Sequence, residues 1–183
     1  MNPNKQNNPP SSREIDKCLC ALAEGDESAL ERLYYLVGTS VYAFALSVLR
    51  NKYDAEDVMH DCIVKVYEQA GNYKSHGKPM AWILTIAKNM CYAKFNRDKR
   101  YADVSDEELE GQFADNPHMS TDDKLLVEGC LAKLSATERQ IVVMHAVGGM
   151  KHREIADMLG IPLSTTLSKY NRALDKLQNL VKE

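Results

Sequence analysis

Apolar residues recur along this chain at a spacing near 3.6, and no stretch alternates with period two, so every element the pattern predicts is a helix. Ile15, Leu19 and Leu22 mark the first, with Ser11 and Glu14 spaced as a capping box. Asp26 is placed as N-cap of a second, long helix whose inward face reads Leu30, Leu33, Tyr34, Val37, Val41, Phe44, Ala45 and Val48. A third follows Asp54 and carries Ala55, Val58, Met59, Cys62, Ile63 and Val66. Lys78-Pro79 opens a fourth, proline suiting the first helical position, with Ile83, Ile86, Ala87 and Met90 turned inward. These four helices make a first domain over residues 13–100, preceded by an Asn- and Pro-rich tail at residues 1–12. The period then fades: residues 101–120 read as a flexible linker with a short helix after Ser105, and a second helical unit spans 121–183.

In that second unit Ser135 and Glu138 form another capping box ahead of Ile141, Val142 and His145, and Gly148-Gly149 stops the helix. The β-branched residues at 141–143 would suit a strand, but the cap and the helical neighbours outweigh them. Next comes Lys151-His152-Arg153-Glu154-Ile155-Ala156-Asp157-Met158-Leu159-Gly160-Ile161, a short helix ending at a glycine able to take the left-handed conformation. Ile161 plugs the gap between helices, and Pro162-Leu163-Ser164 leads into the last one with Ser164 as N-cap. This is helix-turn-helix spacing, in which the second helix enters a DNA major groove. On it Thr166, Tyr170, Ala173 and Leu177 would face the domain, and Thr165, Ser168, Lys169, Arg172 and Lys176 would form the opposite stripe, suited to phosphates and base edges. An ordinary helical hairpin with a solvated basic face is the alternative. The expected fold is all-α: two helical domains joined by a flexible acidic linker, the C-terminal one a helix-turn-helix.

Charge sharpens this picture. The 183 residues carry a net charge of −3, which by itself says little about nucleic acid. Its distribution says more. Residues 74–100 hold seven bases (Lys74, Lys78, Lys88, Lys94, Arg97, Lys99, Arg100) against Asp98 alone, whereas residues 103–123 hold eight acids and no base.

Other classes fall away. No run of about 18 apolar residues occurs, which argues against a membrane span, and the tail lacks the apolar core of a signal peptide, so the product is expected in the cytoplasm. The five cysteines (Cys18, Cys20, Cys62, Cys91, Cys130) are an odd number scattered through helical sequence, which predicts thiols rather than a disulfide framework. The doublet His60-Asp61 occurs in helical metal-dependent phosphohydrolases, but these need a further histidine upstream, and no histidine precedes His60. There is no zinc spacing, no phosphate-cradling glycine loop and no nucleophile arrangement. No enzymatic activity, no metal and no cofactor are expected.

Taken together the two halves resemble the extracytoplasmic-function (ECF) type of sigma factor in the sigma-70 family. The likeness runs through Ala23-Glu24-Gly25-Asp26-Glu27-Ser28-Ala29-Leu30-Glu31-Arg32-Leu33-Tyr34, Asp54-Ala55-Glu56-Asp57-Val58, Ala81-Trp82-Ile83-Leu84-Thr85-Ile86-Ala87-Lys88-Asn89, Leu134-Ser135 through Gln140, and the helix-turn-helix. It implies a protein that binds core RNA polymerase and promoter DNA and directs initiation, with an anti-sigma factor as a further partner and no small-molecule substrate or membrane insertion. On this resemblance residues 13–100 correspond to region 2 and 121–183 to region 4. Glu56, Asp57, His60, Asp61 and Lys65, with Glu68, would meet the polymerase clamp. The loop 72–79 and the fourth helix would capture the melted minus-ten strand, with Lys74, His76, Lys78, Lys88, Asn89, Lys94 and Arg97 supplying phosphate contacts. Tyr73 and Tyr92 would be available to stack on bases, and Trp82 fits a packing anchor. The minus-thirty-five element would be read by Ser164, Thr165, Ser168, Lys169 and Arg172. The acidic linker suits a basic channel of the polymerase, although acidic spacers also serve solubility alone.

The chain also departs from that pattern. Of Leu167, Lys169 and Leu174, positions where the family often has Lys or Arg, only Lys169 is basic, so strong minus-thirty-five binding is in question. Lys151 stands where a capping Ser or Thr is usual, which predicts fraying. Leu167, Tyr170, Leu174, Leu177 and Val181 trace a heptad-like stripe. Two roles are open for it: docking at Leu167 and Leu174 of a protein (an anti-sigma factor or the first domain), or a wider apolar face of a core helix. A stand-alone helix-turn-helix regulator, and a polymerase-binding protein without promoter recognition, are the rival readings of the whole.

Overall fold

A computed structural model of the chain describes residues 10–101 and 132–181. Among the described residues the helices are α1 Ser12–Ala23, α2 Ser28–Leu49, α3 Lys52–Gln69, α4 Pro79–Tyr101, α5 Ala136–Ala146, α6 His152–Leu159 and α7 Leu163–Val181, with a 3-10 turn at Ala70–Asn72. No strand occurs among the described residues. The expected linker from 102 on, the helix after Ser105, the second unit's start at 121, Cys130 and residues 1–9 of the tail lie outside the described residues.

The apolar spacing sorts the faces as expected. Ile15, Leu19, Leu33, Val37, Val41, Phe44, Ala55, Cys62, Val66, Ile83 and Ala87 are buried in one cluster. Tyr34 is the exception: placed inward by the pattern, it lies exposed beside Tyr35. By length and composition alone α2 would cross a membrane. Here it is the central core helix, packed on by α1, α3, α4 and α5.

Helix starts differ from the sequence reading where two capping residues compete. Asn51, not Asp54, caps α3: its side chain accepts from the amides of Tyr53 (2.9 Å) and Asp54 (3.2 Å), so the helix begins a turn earlier. Ser11 occupies the N-cap of α1 without a side-chain cap bond, so the first expected capping box does not form. Asp26 receives the Ser28 amide at 3.0 Å and does act at the start of α2. Ser135 and Glu138 make the reciprocal box of α5. α7 starts at Leu163, which puts Ser164 inside its first turn rather than at its cap.

The two helical units share one core. Ile141, Val143, Met144, Met150 and Ile155 of the second bury into the same cluster as Phe44 and Val37. Polar ties reinforce the seam. Ser40 Oγ donates to the Val147 carbonyl at 3.0 Å, and the buried Arg139 donates to the carbonyls of Ser47 (3.4 Å) and Leu134 (3.0 Å). The seam runs through α5 on α2 and α6 on α4. Of the heptad-like stripe of α7, Tyr170 packs against this core, while Leu167 lies exposed.

Candidate nucleic-acid interface

The loop between α3 and α4 is built from the 3-10 turn outward. The Tyr73 amide closes on the Ala70 carbonyl at 3.0 Å, and Gly77 turns the chain at φ 70° before Pro79 starts α4. Tyr73 Oη donates to Asp16 Oδ1 at 2.5 Å, Ser75 Oγ donates to Asp16 Oδ2 at 2.7 Å, and the Tyr73 ring lies 5.0 Å from that of Trp82. Tyr73 is therefore half-buried and held through both its hydroxyl and its ring. Trp82 is the packing anchor expected of it. Lys74, His76 and Lys78 remain exposed.

Along α4, Asn89 and Arg97 are exposed, and Tyr92 is 40% exposed with Lys88 Nζ 5.8 Å from its ring centroid. Two expected phosphate ligands are otherwise engaged. Lys88 Nζ donates to the Met158 carbonyl of α6 at 2.5 Å. Lys94 Nζ is paired with Asp54 at 2.6 Å and Asp57 at 3.2 Å, which ties α4 to α3. Burial works against charge on Lys94, but the two carboxylates outweigh it and hold its pKa above the ordinary value.

The outer side of α3 presents Glu56, Asp57, His60, Asp61 and Lys65, all exposed. Lys65 is paired with Glu68 at 2.9 Å, and the His60 ring stacks on Tyr34 at 6.1 Å between centroids. Tyr34, Tyr35, Val64 and Tyr67 widen this face with exposed apolar surface that the sequence reading did not assign. Tyr34 follows Leu33 by one residue, at the margin of the apolar stripe, where spacing alone cannot choose a side.

In the second unit Gly160 ends α6 at φ 66°, and the Ile161 amide returns to the Ala156 carbonyl at 3.1 Å. Glu154 accepts the Lys151 amide at 3.0 Å, one half of a capping box, whereas Lys151 itself supplies no side-chain cap to the first-turn amides. On α7, Thr166 and Ala173 are buried, while Ser164, Ser168 and Arg172 are exposed and Thr165 and Lys169 half-buried. Lys176 is exposed with that stripe, but its Nζ pairs with the buried Glu138 at 2.8 Å and ties α7 to α5. Leu167 is exposed, Leu174 half-buried. Behind the stripe, His145, His152 and Tyr170 form a cluster of rings with centroids 4.3 to 4.9 Å apart. His145 Nδ1 meets the Met150 carbonyl at 2.8 Å, whereas the buried His152 Nε2 has no hydrogen-bond partner.

No group of three or more His, Cys, Asp or Glu side chains placed to hold a metal occurs among the described residues. Cys18, Cys62 and Cys91 are buried free thiols and Cys20 is exposed, and burial pushes the Cys62 and Cys91 thiols up to about 12.

The described residues thus define an all-helical protein that carries a helix-turn-helix on one unit and acidic and basic faces on the other. Two family models match in tandem: Sigma-70 region 2 over residues 33–101 and Sigma-70, region 4 over residues 124–177. The ECF RNA polymerase sigma factor SigK of Mycobacterium ulcerans is 28% identical over 179 residues, spanning 93% of this chain and 95% of that protein. Among solved structures, the sigma factor RpoE of Bartonella quintana, in complex with the anti-sigma factor NepR, aligns with a TM-score of 0.68 at 25% identity, covering 83% of this chain and 96% of that one. CnrH, in complex with the cytosolic domain of CnrY, shares the fold at a TM-score of 0.62 and 22% identity, over 92% and 97% of the two chains. The chain belongs to the sigma-70 family of RNA polymerase sigma factors and is of the extracytoplasmic-function type. Such a protein is an initiation factor, not an enzyme.

Proposed function

We propose that residues 13–100 hold core polymerase and the opened minus-ten strand, while residues 121–183 read the upstream duplex. The observation that carries this division is the separation of charge between neighbouring elements. The exposed carboxylates of Glu56, Asp57 and Asp61 on α3 suit a basic protein surface and repel DNA. Lys74, His76 and Lys78 on the loop, with Asn89 and Arg97 on α4, present donors and cations on a different element. Ser164, Ser168 and Arg172 of α7, flanked by Thr165 and Lys169, are the candidates for the minus-thirty-five groove.

An anti-sigma factor is the partner proposed for the exposed apolar side chains of α7, Leu163 and Leu167, with Leu174 beside them. Such a partner is seen on the similar RpoE of Bartonella quintana. The site of action is the cytoplasm, where the polymerase is.

Transcription of a genomic fragment library by purified core polymerase, with and without the chain, tests the reading. Start sites that depend on the chain and share two spaced motifs are expected. Binding of the chain to duplex promoters without polymerase, combined with no effect on initiation, would favour the stand-alone regulator. Polymerase binding without new start sites would favour the protein that lacks promoter recognition.

A further inference from the structure

We propose that Asp16 is a positioning residue for strand capture, holding the α3–α4 loop so that Lys74 and His76 face the DNA. This rests on the reading of residues 72–79 as the capture element. Asp16 lies on α1, before the stretch matched by region 2, and so outside the residues by which the family is recognised.

Tyr73 leaves the 3-10 turn in an extended conformation (φ −68°, ψ 130°). Tyr73 and Ser75 turn to α1, where the two oxygens of one carboxylate take one hydroxyl each, at 2.5 and 2.7 Å. Lys74 and His76, the interleaved residues, are exposed. An ionised carboxylate only accepts, so both donors converge on Asp16 without competition between them. The Tyr73 and Ser75 bonds hold the Asp16 carboxyl below its ordinary pKa, which keeps it in that acceptor form. On its other flank Tyr73 rests against Trp82 of α4. The loop is thus fixed from α1 and from α4 before any DNA arrives. Ordering a loop of this kind only on binding would draw on the binding free energy, and pre-organisation removes that loss. The effect should fall on selectivity more than on bulk affinity: phosphate attraction survives a loosened loop, whereas placement against particular bases does not.

The test uses the full chain reconstituted with core polymerase and a randomised 12-nucleotide single-stranded DNA pool, sequenced before and after retention by the holoenzyme. The natural chain is expected to enrich a motif. Asp16→Ala should lower that enrichment about fivefold or more, the scale set by losing hydrogen bonds to a charged group, while core affinity and total DNA retained change little. Tyr73→Phe combined with Ser75→Ala should reproduce the loss, and adding Asp16→Ala to that pair should add nothing further. Asp16→Asn, which keeps one accepting oxygen, should fall between. Unchanged enrichment with Asp16→Ala, or a loss of core affinity equal to the loss of enrichment, overturns the proposal. Should Asp16→Ala fail to fold, the Tyr73 and Ser75 variants decide alone, because they leave the helix intact. Lys74→Ala with Lys78→Ala separates the two levels. If that pair leaves retention and enrichment untouched, the capture reading itself fails; if it lowers them and Asp16→Ala does not, only the positioning role is lost.

Discussion

Lys88, on the α4 face expected to meet DNA, donates its ammonium to the main-chain carbonyl of Met158 in α6, 70 residues away. The acceptor lies in the last turn of α6, where a carbonyl lacks a helical partner and the helix dipole favours a cation. One side chain therefore caps the first helix of the helix-turn-helix and joins the two units, which leaves fewer of its three N–H donors for a phosphate.

Lys88→Met, which keeps the aliphatic stem and removes the charge, should weaken the seam by about 1 kcal/mol, the usual net value of such a bond. Amide exchange at Ile141, Val143 and Met144 should quicken, whereas exchange at Val37 and Phe44 on α2 should change less. Equal protection of α5 in both proteins would assign the seam to its apolar contacts alone.

Gly148 tests the same seam from the opposite side. A Cβ there would stand 2.7 Å from the Met144 carbonyl oxygen and 3.5 Å from Leu84 Cδ1. The first contact is with backbone, which cannot swing aside. Gly148→Ala should destabilise the chain by about 1–3 kcal/mol, the usual range for overpacking, read as a lower midpoint in urea.

Acid should loosen the helix-turn-helix through Glu138. Burial works against its charge, but Lys176 and the Ser135 cap outweigh this and bring its pKa down from 4.5 to about 2. With the folded value below the unfolded one, the stabilisation is complete above about pH 4.5 and is lost as pH falls towards 2. Glu138→Gln should flatten the dependence of melting temperature on pH in that window.

Histidine acts at milder pH. Burial, then the neighbouring His145, lowers the His152 pKa below its ordinary 6.5. The unfolded chain therefore binds the proton more readily, and stability should decline as pH falls from 6.5. His152→Phe, which keeps a ring against Tyr170, should remove that part of the decline. Melting temperatures at pH 7.5 and 5.5 for both proteins measure it.

Much of this was legible in the chain. Ile15, Leu33, Phe44 and Ile83 advertise their burial through helical spacing, and Ser135 with Glu138 announces a cap within four residues. What spacing could not reveal was long-range pairing. Lys94 and Lys176 each read as free cations on an exposed stripe, yet their partners Asp57 and Glu138 lie 37 and 38 residues off in sequence. Periodicity orients a side chain relative to its own helix and carries no information about which charge a neighbouring helix brings to it. Asn51 and Asp54 show the local form of the same limit, since both can cap and only packing decides where α3 begins.

Arg172 and Lys169 give the sharpest test of groove reading. Arg172 is exposed, and its Nε rests 3.3 Å from the Ser168 carbonyl, which leaves the two terminal nitrogens of the guanidinium as the fork that matches a guanine edge. Lys169 is half-buried and offers a point charge. Arg172→Ala should therefore cost about 1–3 kcal/mol of promoter binding and relax preference at one base pair, whereas Lys169→Ala should weaken all sequences alike and reduce the salt slope by about 1. Holoenzyme binding to upstream duplexes at several salt concentrations separates these outcomes. With Leu167 and Leu174 apolar, Arg172 and Lys169 are expected to matter more for upstream affinity than they would on a more basic helix. A double alanine variant that still transcribes normally would remove both from the interface and leave promoter choice to the minus-ten strand.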